Sequence, residues 1–242
     1  MTHGKSPPSK AQVDHLGERL RLAEPSDDDL RLLDAYRQSF GEAYDFVVKN
    51  IKDNLQLDPS GRPAKSTTSI RDKLRRESVR LSQMQDIAGC RIVTPDIADQ
   101  NQAVERLKSC FPDARIIDRR VHPSHGYRSV HLVVRQAGRP IEIQVRSHMQ
   151  HIWAEISEKI ADVSDPAVKY GGGPQSTKEV LATASKTIER FEEVQGRVQA
   201  LKTQTLPPEH LHVIGRLEAD LLAIKAEYEG ILELLATYRS NR

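Results

Sequence analysis

The sequence predicts an α+β fold, a mixed β-sheet flanked by helices and followed by a C-terminal helical hairpin. Three observations predict it. Short Val- and Ile-rich runs crowd between residues 89 and 146. Apolar residues recur at three- and four-residue steps on both sides of them. Gly171-Gly172-Gly173-Pro174 then closes the strand-rich stretch, and two long helical patterns follow it.

Residues 1–25 are polar and proline-punctuated, which predicts a flexible N-terminal arm or a short helix. Ser26 reads as an N-cap with Asp27, Asp28 and Asp29 in the first turn, where the helix dipole favours negative charge. Leu30, Leu33, Tyr36, Phe40, Tyr44, Val47, Ile51 and Leu55 continue it as one amphipathic helix up to Pro59-Ser60-Gly61. A second helix is expected from Ser69 to about Leu81. Strands are expected at 89–94, 115–121, 129–135 and 140–146, with a helix at 99–110 between the first two. Gln136-Ala137-Gly138-Arg139 reads as a hairpin turn. Interleaving of this kind makes 26–173 a mixed α/β domain with helices on a small sheet.

The closing helices are expected at 176–203 and 209–239, joined at Leu206-Pro207-Pro208. In the second, Ile214, Leu217, Leu221, Ile224, Tyr228, Ile231, Leu235 and Tyr238 form a seam that needs an apolar partner. Residues 174–242 therefore either pack as a hairpin, using Ala184, Ile188, Phe191, Val194 and Val198, or share the seam with a second copy in a homo-oligomer.

Composition narrows the class. Of 242 residues, 29% are charged and 38% apolar, a globular balance and not a disordered one. No apolar run approaches a membrane span, and no apolar stretch follows the N-terminal lysines as a secretory signal would require. Cys90 and Cys110 show no metal-ligand spacing, so a reduced cytoplasmic setting is expected.

Chemistry concentrates in a few segments. Residues 62–80 hold Arg62, Lys65, Arg71, Lys73, Arg75, Arg76 and Arg80 against only Asp72 and Glu77, with Ser and Thr at 66–69 leading into a helix. Free amides, hydroxyls and clustered cations suit a triphosphate; a solvated basic helix face has the same composition. No Gly-x-x-x-x-Gly-Lys loop is present, which excludes a P-loop enzyme. Asp86 precedes the first strand. On the strand 140–146, alternation puts Glu142, Gln144 and Arg146 on one face, and Ile141, Ile143 and Val145 on the other. Asp86 and Glu142 could converge on Mg²⁺, or Glu142 could belong to an ordinary polar strand face. Tyr127, after the Gly126 turn, offers a ring for base stacking or for packing.

Taken in order, Lys65-Ser-Thr-Thr-Ser-Ile-Arg-Asp-Lys73-Leu, Asp86-Ile-Ala-Gly-Cys-Arg91, Gly126-Tyr-Arg-Ser-Val-His131, Glu142-Ile-Gln-Val-Arg146 and His151-Ile-Trp-Ala-Glu155 resemble the RelA/SpoT synthetase domains over about residues 30–173. The resemblance implies a nucleotidyltransferase-like fold. It also implies a pyrophosphokinase that moves the β,γ-diphosphate of ATP to the 3′-hydroxyl of GDP or GTP, making the alarmones guanosine tetra- or pentaphosphate. It implies that Lys65, Lys73 and Arg71 hold the ATP phosphates and that Arg91 and Arg62 flank the adenine. Asp86 and Glu142 would bind Mg²⁺, with Glu142 also drawing the proton from the attacking hydroxyl. Tyr127 would stack on the acceptor base, and His131, Gln144, Arg146 and His151 would line its pocket.

The sequence departs from the family pattern at three places. Arg62 stands three residues before Lys65, where the family usually has arginine two before. Asp118-Arg-Arg-Val-His-Pro-Ser-His125 replaces the lysine-bearing segment that helps bind acceptor phosphates, leaving Arg119, Arg120, His122 and His125 as substitutes. Ser157, Glu158 and Lys159 stand where a histidine often follows His151-Ile-Trp-Ala-Glu155. No His-Asp pair occurs, so the hydrolase half of long family members is not expected, and a small stand-alone synthetase is. Two other readings stay open: a toxic small synthetase acting on the 3′ end of tRNA, with Arg115, Arg119 and Arg120 serving that acceptor, or an inactive nucleotide- or RNA-binding module. Guanine nucleotides are preferred over tRNA, because no long basic track for an RNA stem is present.

Overall fold

The computed structural model describes residues 6–204 and 207–240, so Leu206 of the expected joint, and the side chain of Tyr238, lie outside the described residues. Eight α-helices and five strands are described: α1 (Lys10–Leu22), α2 (Asp27–Gln38), α3 (Gly41–Leu55), β1 (Ser60–Arg62), α4 (Thr67–Arg76), β2 (Ala88–Thr94), α5 (Ile97–Cys110), β3 (Arg115–Asp118), β4 (Val130–Gln136), β5 (Arg139–Ser147), α6 (His148–Val163), α7 (Gln175–Lys202) and α8 (Pro208–Ser240). The strands form one mixed sheet in the order β1-β2-β5-β4-β3, with helices flanking it. Two compact units are distinguished. The first comprises Met1–Ile92, Arg106–Ile116 and His131–Gln144; the second comprises Val93–Glu105, Ile117–Val130 and Val145–Arg242.

In the first unit the described part of the N-terminal segment contains a helix, α1. Ser9 and Gln12 form a capping box at its start, and Val13, Leu16 and Leu20 are buried. A run of 13 residues with apolar side chains at three- and four-residue steps buries too much surface to stay loose. The single helix expected from Ser26 is in fact two. Ser39 turns its hydroxyl back onto the Tyr36 carbonyl at 2.5 Å, and Gly41 follows, so the chain breaks between α2 and α3. Leu33, Phe40, Val47 and Ile51 are fully buried across the break, which kept the apolar periodicity continuous in the sequence. Tyr36 and Phe40 meet edge to face, and the Arg139 guanidinium lies over both rings, 5.6 and 5.2 Å from their centroids.

The second helix begins at the Ser66 cap instead of Ser69 and ends at Arg76, followed by a short 3₁₀ turn at Leu81–Gln83. The hairpin turn falls where expected, between Gln136 and Arg139, with Ala137 and Gly138 at φ 47° and 74°. Strand β3 stops at Asp118, short of the expected Val121. The Arg120 backbone N–H bonds the Asp118 carboxylate at 2.9 Å and turns the chain there. Strand β5 buries Ile141, Ile143 and Val145 fully, as the alternation required.

In the second unit α6, α7 and α8 share one apolar cluster built on Trp153, Ile156, Leu181, Ile188, Phe191, Ile214 and Leu221. Leu217, Ile224, Tyr228 and Leu235 pack against it, so most of the α8 seam closes within the chain. Ile231 remains 44% exposed. Residues 174–242 share this unit with 145–173, so the compact division does not follow the glycine run. Helix α6 follows β5 directly, and Ser147 and Gln150 form a capping box at its start, a Ser-x-x-Gln signal legible in the sequence.

Candidate active site

The first unit brings Lys65 and Lys73 together by simple means. Ser66 caps α4 by accepting from the Ser69 N–H at 3.2 Å, which leaves Lys65 just outside the helix. The Lys65 N–H bonds the Ile87 carbonyl at 2.7 Å and ties that end of α4 to the entry of β2. Lys73 lies two turns after Ser66 and faces the same way. Lys65 Nζ stands 2.7 Å from Asp86 Oδ2, and Lys73 Nζ stands 3.0 Å from Oδ1. Burial would raise the Asp86 carboxyl, but the charges of Lys65 and Lys73, and the hydrogen bonds they donate, hold it at about 2.

Glu142 lies on β5. His131 Nδ1 is 2.9 Å from its Oε1, and Gln144 Nε2 donates to Oε2 at 2.8 Å. An ionised carboxylate only accepts, so Nδ1 of His131 carries the proton in that contact. Burial again opposes ionisation; the His131 bond and charge outweigh it and hold the Glu142 carboxyl below its ordinary range, while the Asp86 charge pushes the other way. The two carboxylates are thus close enough to repel. Glycine at 89 is what lets β2 and β5 approach here, since a Cβ on Gly89 would come 2.4 Å from the Glu142 carbonyl oxygen.

Strand β1, unexpected from the sequence, carries Arg62. It pairs antiparallel with β2 in the register Ser60↔Arg91 and Arg62↔Gly89. Ser60 is opposite Arg91, and Arg62 is two residues from Ser60, so Arg62 and Arg91 share one face as diagonal neighbours. Arg62 donates to the Asp86 carbonyl at 3.1 Å. Arg71 is not brought to this cluster. Its guanidinium bonds the Glu24 carboxylate and the Leu20 and Ala23 carbonyls, beside the end of α1.

In the second unit Arg146 lies over the Tyr127 ring, its Cζ 5.0 Å from the centroid, and donates to the Tyr127 hydroxyl at 3.0 Å. His151, on α6, faces Glu155 at 3.8 Å. Among the four substitutes for the acceptor-phosphate lysine, Arg120 is engaged by Asp118 and by the side-chain oxygens of Gln100 and Asn101. His125 is held at φ 53° against Gly171.

Among the described residues no three His, Cys, Asp or Glu side chains gather into a metal-holding group. Two ionised, mutually repelling carboxylates are nevertheless what Mg²⁺ takes when phosphate oxygens complete its shell, so Asp86 and Glu142 fit that ion.

The sheet order and its flanking helices define a fold found in the alarmone synthetases. The small alarmone synthetase 1 of Bacillus subtilis, solved with its product pppGpp, superposes with a TM-score of 0.54 at 25% identity, over 74% of this chain and 100% of that one. A GTP pyrophosphokinase family protein of Streptococcus pneumoniae matches in fold, with a TM-score of 0.52 at 23% identity, over 82% of this chain and 98% of that one. Residues 61–161 match the family described as "Region found in RelA / SpoT proteins". The chain carries a RelA/SpoT-type region on the fold of the small alarmone synthetases. An uncharacterised protein of Mycobacterium tuberculosis is 34% identical over 116 residues, 46% of this chain and 42% of that one. A probable chloroplastic GTP diphosphokinase of Oryza sativa is 35% identical over 95 residues, 38% of this chain and 13% of that one. The chain thus spans less than half the length of these curated relatives.

Proposed function

We propose that this protein is a pyrophosphokinase that transfers the β,γ-diphosphate of ATP to the 3′-hydroxyl of GDP or GTP. The 3′-oxygen attacks the β-phosphorus, the bond from that phosphorus to the α,β-bridging oxygen breaks, and AMP leaves. Guanosine tetra- or pentaphosphate is the product. The observation that carries the reading is the gathering of Lys65 and Lys73 on ionised Asp86, beside a second ionised and buried carboxylate, Glu142. A diphosphoryl transfer asks for cations on phosphate oxygens, positioning, and little covalent chemistry from the protein.

Lys65 and Lys73 hold the donor phosphates in this reading, with Arg71 joining them once it leaves Glu24. The diagonal pair Arg62 and Arg91 brackets the adenine. Asp86 and Glu142 hold Mg²⁺, which supplies positive charge to the phosphate oxygens when bound. Glu142 also takes the 3′-hydroxyl proton. Tyr127 stacks on the guanine, while His131, Gln144, Arg146 and His151 line the acceptor's surroundings. Residues 26–173 carry the chemistry and 174–242 support it.

Among the described residues no helix is long and apolar enough to cross a membrane, and both cysteines are free; a cytoplasmic setting belongs to the same proposal. Homo-oligomerisation, in the same proposal, falls to the outer face of α8, where Leu222 and Leu234 are 68% and 71% exposed.

The test is incubation with γ-labelled ATP and Mg²⁺ together with GDP, GTP or deacylated tRNA. Label on the guanosine nucleotide, with AMP formed in equal amount, is expected. Label on the tRNA 3′ end would replace the acceptor. Label on none of them would overturn the reading.

A further inference from the structure

Helix α7 lies outside the segment that matches the family, yet one stripe of it grips both sides of the Tyr127–Arg146 pair. Leu181, Ser185, Glu189 and Glu192 recur at steps of four, four and three and so face one way. The Leu181 carbonyl accepts from the Trp153 indole N–H at 3.0 Å. The Ser185 hydroxyl donates to the Gly126 carbonyl at 2.7 Å, and Glu189 accepts from Arg128 at 2.6 Å. These two contacts bracket Tyr127 from the residues on either side. Glu192 accepts from the Ser147 hydroxyl, and from Gln150 at 3.1 Å, immediately after Arg146 in the chain.

The loop is pressed hard against this stripe. Gly126 sits at φ 88°, and a Cβ there would come 2.8 Å from the Trp153 ring and 3.3 Å from Ser185 Cβ. Behind Arg146, Thr94 donates to its carbonyl at 3.2 Å, while Ser129 and Gln100 donate to the Val145 carbonyl at 3.0 and 2.8 Å. Ser129, Gln150 and Ser147 are buried, so these bonds are shielded from water. The backbone on both flanks of the stacked pair is therefore fixed by side chains.

We propose that α7 is a positioning element for the acceptor: Ser185, Glu189 and Glu192 set the Tyr127 ring and the Arg146 guanidinium in register and so govern acceptor affinity, leaving the donor side untouched. This rests on the reading of Tyr127 and Arg146 as acceptor residues.

The test uses full-length Ser185→Ala and Glu189→Gln, with steady-state kinetics in both substrates on whichever acceptor takes label. Trp153, the single tryptophan, wedges between the Gly126 turn and Leu181, so its emission reports acceptor binding without turnover. Each variant should raise the acceptor KM by about tenfold and weaken the acceptor-induced Trp153 response to match, since Ser185→Ala loses the hydrogen bond to the Gly126 carbonyl and Glu189→Gln strips the charge from the contact with Arg128. The KM for ATP should stay within about twofold. A wild-type protein that labels no acceptor would fail the reading of the site and the proposal with it. Active wild type with an unchanged acceptor KM in both variants would overturn the proposal alone. An equal rise in both KM values, or a loss confined to kcat and melting temperature, would show α7 to be structural support only.

Discussion

Lys65 Nζ stands 2.7 Å from Asp86 Oδ2, and Lys73 takes the other oxygen of the same carboxylate. Asp86 is therefore the counterion that lets two lysines, 11% and 23% exposed, sit side by side before any nucleotide arrives. In the proposed reaction the ATP phosphates would take over the two lysines, leaving the Asp86 carboxylate able to hold Mg²⁺.

Asp86→Asn should for this reason do two things at once. It should stop transfer, and it should lower the melting temperature by several degrees, because two neighbouring ammonium groups lose their partner. Adding Lys65→Met to that variant should recover part of the stability and none of the activity. Thermal melts of the two single variants and the double give the coupling directly. Additive melting shifts would mean that the ion pair contributes nothing to the fold.

The pH dependence follows from the directions of three shifts. Asp86 is held at about 2 against an ordinary 3.8, so it contributes about 2 kcal/mol above pH ~4, lost as the pH falls toward 2. Glu142, also depressed, adds loss in the same acid window. Glu192 runs the other way. Burial raises its carboxyl despite the bonds from Ser147 and Gln150, so its contribution is full below its ordinary value and is lost as the pH rises through the raised one. Glu192→Gln should accordingly gain melting temperature relative to the parent as the pH goes from 4 to 8. A constant difference across that range would show that Glu192 does not titrate in the fold.

Much of this was legible in the residues, and what was not has physical reasons. The alternation of Ile141, Ile143 and Val145 against Glu142 and Gln144 fixed the burial of β5, because a period of two admits one inward face. The turn at Ala137-Gly138 was equally plain. Strand β1 could not be read, since three residues, Ser60, Gly61 and Arg62, carry no apolar period, and the close approach of the Tyr44 hydroxyl to Gly61 is a tertiary contact. Arg71 belonged by composition to the phosphate cluster, but its engagement with Glu24 spans 47 positions and depends on how α1 packs on α4. In sequence Glu189 and Glu192 are two charges on a helix with nothing to set them apart. The pairing of Glu189 with Arg128, and the burial of Glu192 against Ser147, are tertiary facts.

Gly89→Ala should damage the site through the backbone. The added methyl would lie 2.4 Å from the Glu142 carbonyl oxygen, so β2 and β5 must part and Glu142 must shift. The expected result is at least about a hundredfold lower transfer rate with a smaller loss of secondary structure, read by labelled-ATP assay and circular dichroism. Activity within about twofold of the parent would show that the sheet relaxes around the methyl without moving the carboxylate.

Tyr127 is the most informative acceptor substitution, because its ring and its hydroxyl make separable contacts with one residue, Arg146. The Arg146 guanidinium covers the ring at 5.0 Å and also donates to the hydroxyl at 3.0 Å. Tyr127→Phe keeps the ring and loses one hydrogen bond from a charged donor, so the acceptor KM should rise by about three- to tenfold. Tyr127→Ala loses the stacking surface as well, worth roughly 1–3 kcal/mol per base, and should cost far more. The KM for ATP should move in neither case. Arg146→Lys separates the two contributions further, since an ammonium can donate to the hydroxyl but cannot lie flat on the ring. If Arg146→Lys behaves like the parent, the hydroxyl bond alone places Arg146. If Tyr127→Phe is as damaging as Tyr127→Ala, the ring stacks on no base and the phenol oxygen is the working group.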